Sequence, residues 1–208
     1  MKGKFIVIEG IDGAGTTTQS LKLMHNMFNY DKRMHVVLTR EPTRSAKCAK
    51  LMELLKGKNP RENAEDFLQA FYTDRVDHVE GMVNPNLFSG VTVISDRYDF
   101  STFAYQGVQG ISIGRMVEMH SNLPKPDIMF LIDVPAKEAV RRMNIRTINT
   151  VFEKEDFLEL VRQKYLEYAN LLSNSQRIHV IDGTKPIEEI SAEIFEIVKT
   201  LYNETISI

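Results

Sequence analysis

Gly10, Gly15 and Thr17 stand at the spacing of a backbone loop that wraps a phosphate, within Glu9-Gly10-Ile11-Asp12-Gly13-Ala14-Gly15-Thr16-Thr17-Thr18. The pattern is G-x-x-x-x-G-K-[ST] with one departure, Thr16 in the lysine position. Glycines are needed because such a loop must reach positive φ and approach its anion closely. Converging N–H groups and the positive end of the following helix then supply the field. Thr17 is placed to offer a hydroxyl to Mg²⁺. Without an ammonium at position 16, one charge contact to the β- and γ-phosphates must come from another residue or be absent.

Five further constellations carry chemistry. Thr39-Arg40-Glu41-Pro42 puts a guanidinium where a bidentate phosphate contact is possible, or simply an arginine in an exposed loop. Phe71 and Arg75 are four apart on a helical pattern, so they share a face. Together they could stack on a base and bond its carbonyl edge, or be a core ring beside a surface cation. Asp96-Arg97-Tyr98 ends an apolar run. Asp96 is placed to close a Mg²⁺ shell and Arg97 to neutralise phosphoryl oxygens, the alternative being a strand-capping ion pair. Ser101-Thr102-Phe103-Ala104-Tyr105-Gln106-Gly107 gathers hydroxyl, phenol and amide groups, suited to a base edge and a sugar or to a partly buried amphipathic turn. Arg141, Arg142 and Arg146 fall in the segment from Asp133 to Glu153, as a solvated face or as a lid over a nucleotide.

These residues need a scaffold. Phe5–Ile8, His35–Leu38, Val91–Ser95, Ile128–Ile132 and Ile178–Ile181 are short, continuously apolar runs, as strands covered on both faces should be. Helical periodicity of about 3.6 residues marks the segments between them. One helix begins at Thr17 with Leu21, Met24 and Phe28 on a face. Others run over about 64–83, 156–172 and 187–202. Strands alternating with helices imply an α/β fold with a five-stranded parallel sheet and a ligand site beyond its carboxyl edge. The motifs fall just after strands or on helices that can face that edge.

The 208 residues suit one α/β domain, with a short lid segment at about 141–152. Apolar residues at 43% and charged residues at 26% place the chain among globular proteins. A net charge of −2 argues against a general nucleic-acid binder. Cys48 is the single cysteine, which excludes an intrachain disulfide and fits a reducing cytosol. No apolar stretch approaches the ~20 residues of a membrane span, and Met1-Lys2-Gly3-Lys4 does not read as a signal peptide.

In combination, the segments resemble the thymidylate kinases, a family of P-loop nucleoside monophosphate kinases. The likeness runs from Phe5 to about Val198: the phosphate loop with Asp12, T-R-E-P, F-x-x-x-R, D-R-Y, S-T-x-A-Y-Q-G, the arginine-bearing lid and D-G-T at Asp182 to Thr184. The resemblance implies a P-loop NTPase fold and transfer of the ATP γ-phosphoryl to dTMP with Mg²⁺, in a cytoplasmic homodimer. Gly10 to Thr18 would hold ATP, with Thr17 and Asp96 on the metal. Arg40 and Arg97 would hold the dTMP phosphate, Phe71 would stack on thymine and Arg75 would bond its O4. Tyr98, Thr102 and Gln106 would border the base, and Tyr105 would crowd the 2′ position. Asp12 would hold the 3′-hydroxyl or the Arg97 fork. Arg142 would lie against adenine beside Asp182 and Thr184, and Arg146 would reach the phosphates.

Two positions depart from the family: Thr16 replaces the loop lysine, and Val151 precedes Phe152-Glu153 where the lid usually has an arginine. Arg142 or Arg146, with Arg141, would then supply the missing charge. The rival readings are a nucleotide sensor without useful turnover, a kinase of another monophosphate such as dUMP, or a nucleoside, and a GTPase-like switch. The switch lacks an N-K-x-D segment.

Overall fold

The computed structural model describes residues 3–43, 51, 63–143 and 151–203, the backbone alone for 151–154 and 203. Five strands, β1 (Phe5–Glu9), β2 (Val36–Arg40), β3 (Thr92–Asp96), β4 (Ile128–Asp133) and β5 (Ile178–Asp182), form one parallel sheet in the order β2-β3-β1-β4-β5. β1 and β3 are buried along their whole lengths. This explains why Phe5–Ile8 is continuously apolar instead of alternating. The sheet registers Ile8 against Asp96 on one side of β1 and Phe130 on the other.

Helices cover both faces: α1 (Thr16–Tyr30), α2 (Ala64–His78), α3 (Asn84–Phe88), α4 (Asp99–Val108), α5 (Ile113–Met119), α6 (Ala136–Met143), α7 (Val151–Leu172) and α8 (Ile187–Asn203). The strand order turns around at β1, which sends its successors to β2 and β3 on one side and β4 and β5 on the other. The loop after β1 therefore opens at the topological switch point, where such sheets bind ligands.

Several element boundaries differ from the sequence reading. The helix expected to end near Val83 continues through a π-helical turn, Val79–Val83, into α3. Pro85 sits in the first turn of α3, and its ring would press on the Gly81 carbonyl of a regular α-turn, which the wider turn relieves. α4, α5 and α6 are short and were not expected as separate helices.

α1 also faces the core differently from its apolar pattern. Leu21 and Phe28 are about half exposed, whereas Gln19, Ser20, Leu23 and Met27 are buried. Polar groups set this phase: the Ser20 hydroxyl donates to the Thr16 carbonyl at 2.9 Å, and the Gln19 amide donates to Ile187 O at 3.0 Å. A rule that counts only apolar residues rotates the helix the wrong way.

Candidate active site

The loop after β1 takes its shape from two left-handed glycines, Gly13 at φ 86° and Gly15 at φ 97°. Gly15 is the N-cap of α1, so the helix starts one residue earlier than the sequence suggested, at Thr16. Thr16 is buried and too short to project over the cleft as a lysine would. Gly10 admits no side chain, since a Cβ would lie 2.9 Å from the Ile132 carbonyl oxygen. Ile11 and Ala14 are buried beneath the loop, and Thr18 faces out on the first turn of α1.

The Thr17 hydroxyl donates to Asp96 Oδ2 at 2.5 Å, so α1 and the end of β3 bring these groups together. Asp96 Oδ1 is buried with no hydrogen-bond partner among the described residues. A lone carboxylate beside a hydroxyl, with an acceptor left over, suits Mg²⁺. That ion prefers one or two protein oxygens and completes its shell with phosphates and water.

Arg97 is the one non-glycine residue with positive φ among those described, at 76°. This conformation costs on the order of 1–3 kcal/mol and is retained because its surroundings impose it. Its N–H donates to Ile8 O at 2.9 Å, and its carbonyl accepts from Ser95 Oγ at 2.7 Å. The guanidinium then donates to Asp12 Oδ1 at 2.7 Å and to Ser101 Oγ at 3.3 Å, and lies over the Tyr105 ring.

Beneath this turn sits Glu9, fully buried and not singled out by sequence reasoning. One oxygen accepts from the Tyr98 and Ser101 N–H groups at 2.7 and 3.1 Å. The other accepts from the Ser101 and Tyr165 hydroxyls at 2.7 and 2.9 Å. Burial pushes the Glu9 carboxyl up to about 7, against the opposing pull of Arg97 and these hydrogen bonds.

Two cavities meet at this turn. The first, of about 320 Å³, is lined mainly by rings and amides: Phe71, Phe67, Tyr105, Thr102, Gln106 and Phe157 take part. Thr102 Oγ1 and Gln106 Oε1 are buried without partners among the described residues, which suits two polar groups to a ligand's edge. Arg75 closes its floor, 1% exposed, held by Glu41, His120 and the Tyr98 carbonyl at 2.7, 2.7 and 2.8 Å. Tyr98 also lines this cavity. Its ring packs edge-on against Phe5, its hydroxyl donates to Pro124 O at 3.2 Å, and burial pushes the phenol up. Tyr105 meets Phe157 and Tyr165 edge to face, and its hydroxyl accepts from the Asp12 N–H at 3.3 Å.

The second cavity, of about 760 Å³, runs along Asp12–Gln19 to α6 and the loop after β5. Arg142 donates from Nε to Glu138 at 2.9 Å and from a terminal nitrogen to Gly183 O at 2.9 Å, so it is tied to the far end of the cleft. Arg141 is mostly exposed and forks onto the same Glu138 carboxylate. Asp182 accepts from the Thr184 N–H and hydroxyl at 2.9 and 2.6 Å. Lys185 lines the cleft as well, paired with Glu193 at 2.9 Å. Arg146 and Cys48 lie outside the described residues, as does the side chain of Val151. Asp12, Arg40 and Arg97 line both cavities.

Glu9, Glu41, His78, His120, Gln109 and Phe157 were missed from sequence. Glu41 lies inside T-R-E-P and Glu9 directly precedes Gly10, and that placement is the one signal by which they could have been found. His78, His120 and Phe157 belong to no motif.

Such a fold and such paired cavities define a P-loop nucleotide-binding protein built to hold two ligands against one cluster of guanidinium groups. A sequence model described as thymidylate kinase matches residues 8–194. "Probable thymidylate kinase" of Pyrococcus horikoshii is 37% identical over 206 residues, covering 96% of this chain and 97% of that protein. "Thymidylate kinase" of Nitrosomonas eutropha is 35% identical, covering 97% of this chain and 95% of that protein, and that of Thermosipho melanesiensis 36%, covering 95% and 98%. The chain belongs to the thymidylate kinase family.

Proposed function

We propose that the protein moves the γ-phosphoryl of ATP onto the 5′-phosphate of dTMP, giving dTDP and ADP. One observation carries the reading: the phosphate-loop cleft and the aromatic pocket share Asp12, Arg40 and Arg97, so a triphosphate and a monophosphate would meet at those groups. An oxygen of the dTMP phosphate bonds to the γ-phosphorus as the bond to the β,γ-bridging oxygen breaks, and ADP leaves with that electron pair. The acceptor is already ionised, so no base is needed, and catalysis is positioning and charge neutralisation.

Arg97 spans both anions, with its fork held by Asp12, whose carboxylate also faces the acceptor's 3′-hydroxyl. Arg40 takes the acceptor phosphate from the end of β2. Phe71 stacks on thymine, Arg75 donates to its O4, Thr102 and Gln106 meet its remaining edge beside Tyr98, and Tyr105 crowds the 2′ position. Gly10, Ile11, Asp12, Gly13, Ala14, Gly15, Thr16, Thr17 and Thr18 wrap the donor phosphates. Arg142, Asp182 and Thr184 border adenine, and Arg146 supplies charge from the lid with Arg141. Thr17 and Asp96 would hold Mg²⁺, which when bound neutralises the β- and γ-phosphate oxygens. The chain works as a single domain with a lid at about 141–152, in a cytoplasmic homodimer that sedimentation would test.

A coupled ADP-release assay across nucleoside monophosphates, with Thr16→Lys alongside, tests the proposal. Wild-type turnover greatest on dTMP is the expected result. A wild type inactive on every acceptor, with activity appearing only in the lysine variant, would overturn it in favour of a nucleotide sensor.

A further inference from the structure

Arg75 has five N–H groups, and the described residues use three. Nε donates to Glu41 Oε2 at 2.7 Å, one terminal nitrogen to His120 Nε2 at 2.7 Å and the other to Tyr98 O at 2.8 Å. One N–H on each terminal nitrogen is left, and Arg75 lines the acceptor pocket. Glu41 is fixed in turn by His78 at 2.9 Å, and His78 by the Thr39 hydroxyl at 2.7 Å.

The His120 contact has only one chemical form. His120 Nδ1 lies 2.7 Å from the Met116 carbonyl oxygen, which can only accept, so Nδ1 carries the hydrogen. Arg75 can only donate, so Nε2 must be bare. The ring is therefore the neutral tautomer with its lone pair aimed at the guanidinium. Burial and the adjacent Arg75 charge agree with this, holding the imidazole down at about 4. Met116 is fully buried in α5, and the rings of Tyr72 and Phe103 stand perpendicular to the imidazole with centroids 5.3 Å away in each case. His120 itself is 5% exposed and does not line the pocket.

We propose that His120 is a specificity-determining positioning residue: as a fixed acceptor behind Arg75, it aims the remaining N–H groups so that the pocket takes pyrimidines with a carbonyl at position 4 and rejects those with an amino group there. The inference rests on the proposed acceptor pocket and deepens it. A 4-carbonyl accepts from those N–H groups, whereas a 4-amino group opposes donor to donor. Discrimination of this kind is large only while the donor stays put. Without the imidazole acceptor, a buried N–H loses its partner and the fork is free to turn.

The test is steady-state kinetics of His120→Phe and His120→Gln on dTMP, dUMP and dCMP. His120→Phe keeps an aromatic ring, somewhat larger than imidazole, and deletes the acceptor. Its KM for dTMP should rise about tenfold, with kcat and the KM for ATP within about twofold of wild type. Preference for dTMP over dCMP should fall at least about tenfold, while the dTMP to dUMP ratio, which involves two 4-carbonyl bases, should hold. His120→Gln, whose carbonyl can reach Arg75, should recover most of the loss.

An unchanged dTMP KM and dCMP discrimination in folded His120→Phe would overturn the proposal, as would equal loss in both variants. If His120→Phe does not fold, His120→Asn replaces it, since its amide reaches Met116 O but not Arg75, and the same two outcomes decide. Phe71→Ala separates the two readings. If it leaves the dTMP KM unchanged, the acceptor pocket itself is misassigned. If it raises that KM while His120→Phe does not, only the role of His120 fails.

Discussion

The proposed acceptor pocket and the proposed donor cleft are built on opposite principles. In the pocket, two guanidinium groups are each held by several partners: Arg75 by buried Glu41 and His120 and a carbonyl, Arg97 by the more exposed Asp12, by Ser101 and by a strained backbone. In the donor cleft, Arg141 and Arg142 share the one Glu138 carboxylate, Arg141 from a mostly exposed position, and the inner position of the loop is a short threonine. Prepaid order favours discrimination, because a group that cannot turn cannot adapt to a wrong ligand. Solvated charges contribute less per group and suit a ligand whose polyphosphate is gripped mainly by backbone N–H groups.

The contrast predicts unequal losses. Arg97→Ala, at the junction, should lower kcat by about 10²–10³, the usual effect of removing one preorganised transition-state donor. A loss confined to the KM for dTMP would mean that Arg97 only binds. Phe71→Ala should raise the KM for dTMP about tenfold or somewhat more, as loss of one base-stacking ring does, with the KM for ATP unmoved.

On the donor side, Arg142→Ala and Arg146→Ala should each lower turnover by about tenfold or less. If neither variant changes it, the lid does not compensate for Thr16. Thr16→Lys supplies the missing ammonium directly and should raise kcat. An unchanged rate would show that the cleft already neutralises the phosphates.

The smallest effect concerns Glu9 and is read as stability. Its folded pKa is raised from 4.5 to about 7, so ionising it costs nothing below the unfolded value. The cost grows between those two values and is constant above about 7. Glu9→Gln removes the titration, so its melting temperature relative to wild type should be higher at about pH 8 than at about pH 5. Parallel curves would mean that Glu9 ionises as freely as an exposed carboxyl. His120 acts with the opposite sign: its folded pKa of about 4 makes stability fall as pH drops below 6.5. The comparison with wild type cancels that contribution.

Much of this arrangement was legible in the sequence. Strands β1, β3 and β4 announce themselves because central strands of a parallel sheet must be apolar on both faces. Gly15 and Thr17 are visible because a loop around an anion tolerates few residue types. The phase of α1 was not legible, because Ser20 and Gln19 turn inward to satisfy carbonyls and periodicity counts them as surface. His120 was hidden for a related reason. Nothing in a lone histidine after Glu118-Met119 signals that its ring will lie behind an arginine forty-five residues earlier. Arg75 was expected to present its fork to a base, but its burial on three internal partners emerges only from the packing of α2 against α4 and the loop after β2.

The most direct test of the head-to-head arrangement is a crystal structure with dTMP and a non-hydrolysable ATP analogue bound together. The account predicts the triphosphate wrapped by Gly10 to Thr17, the thymine against Phe71, and the two phosphates meeting at Arg97 with Arg40 on the acceptor. A loop that holds no polyphosphate, or thymidylate seated away from Arg40 and Arg97, would contradict it.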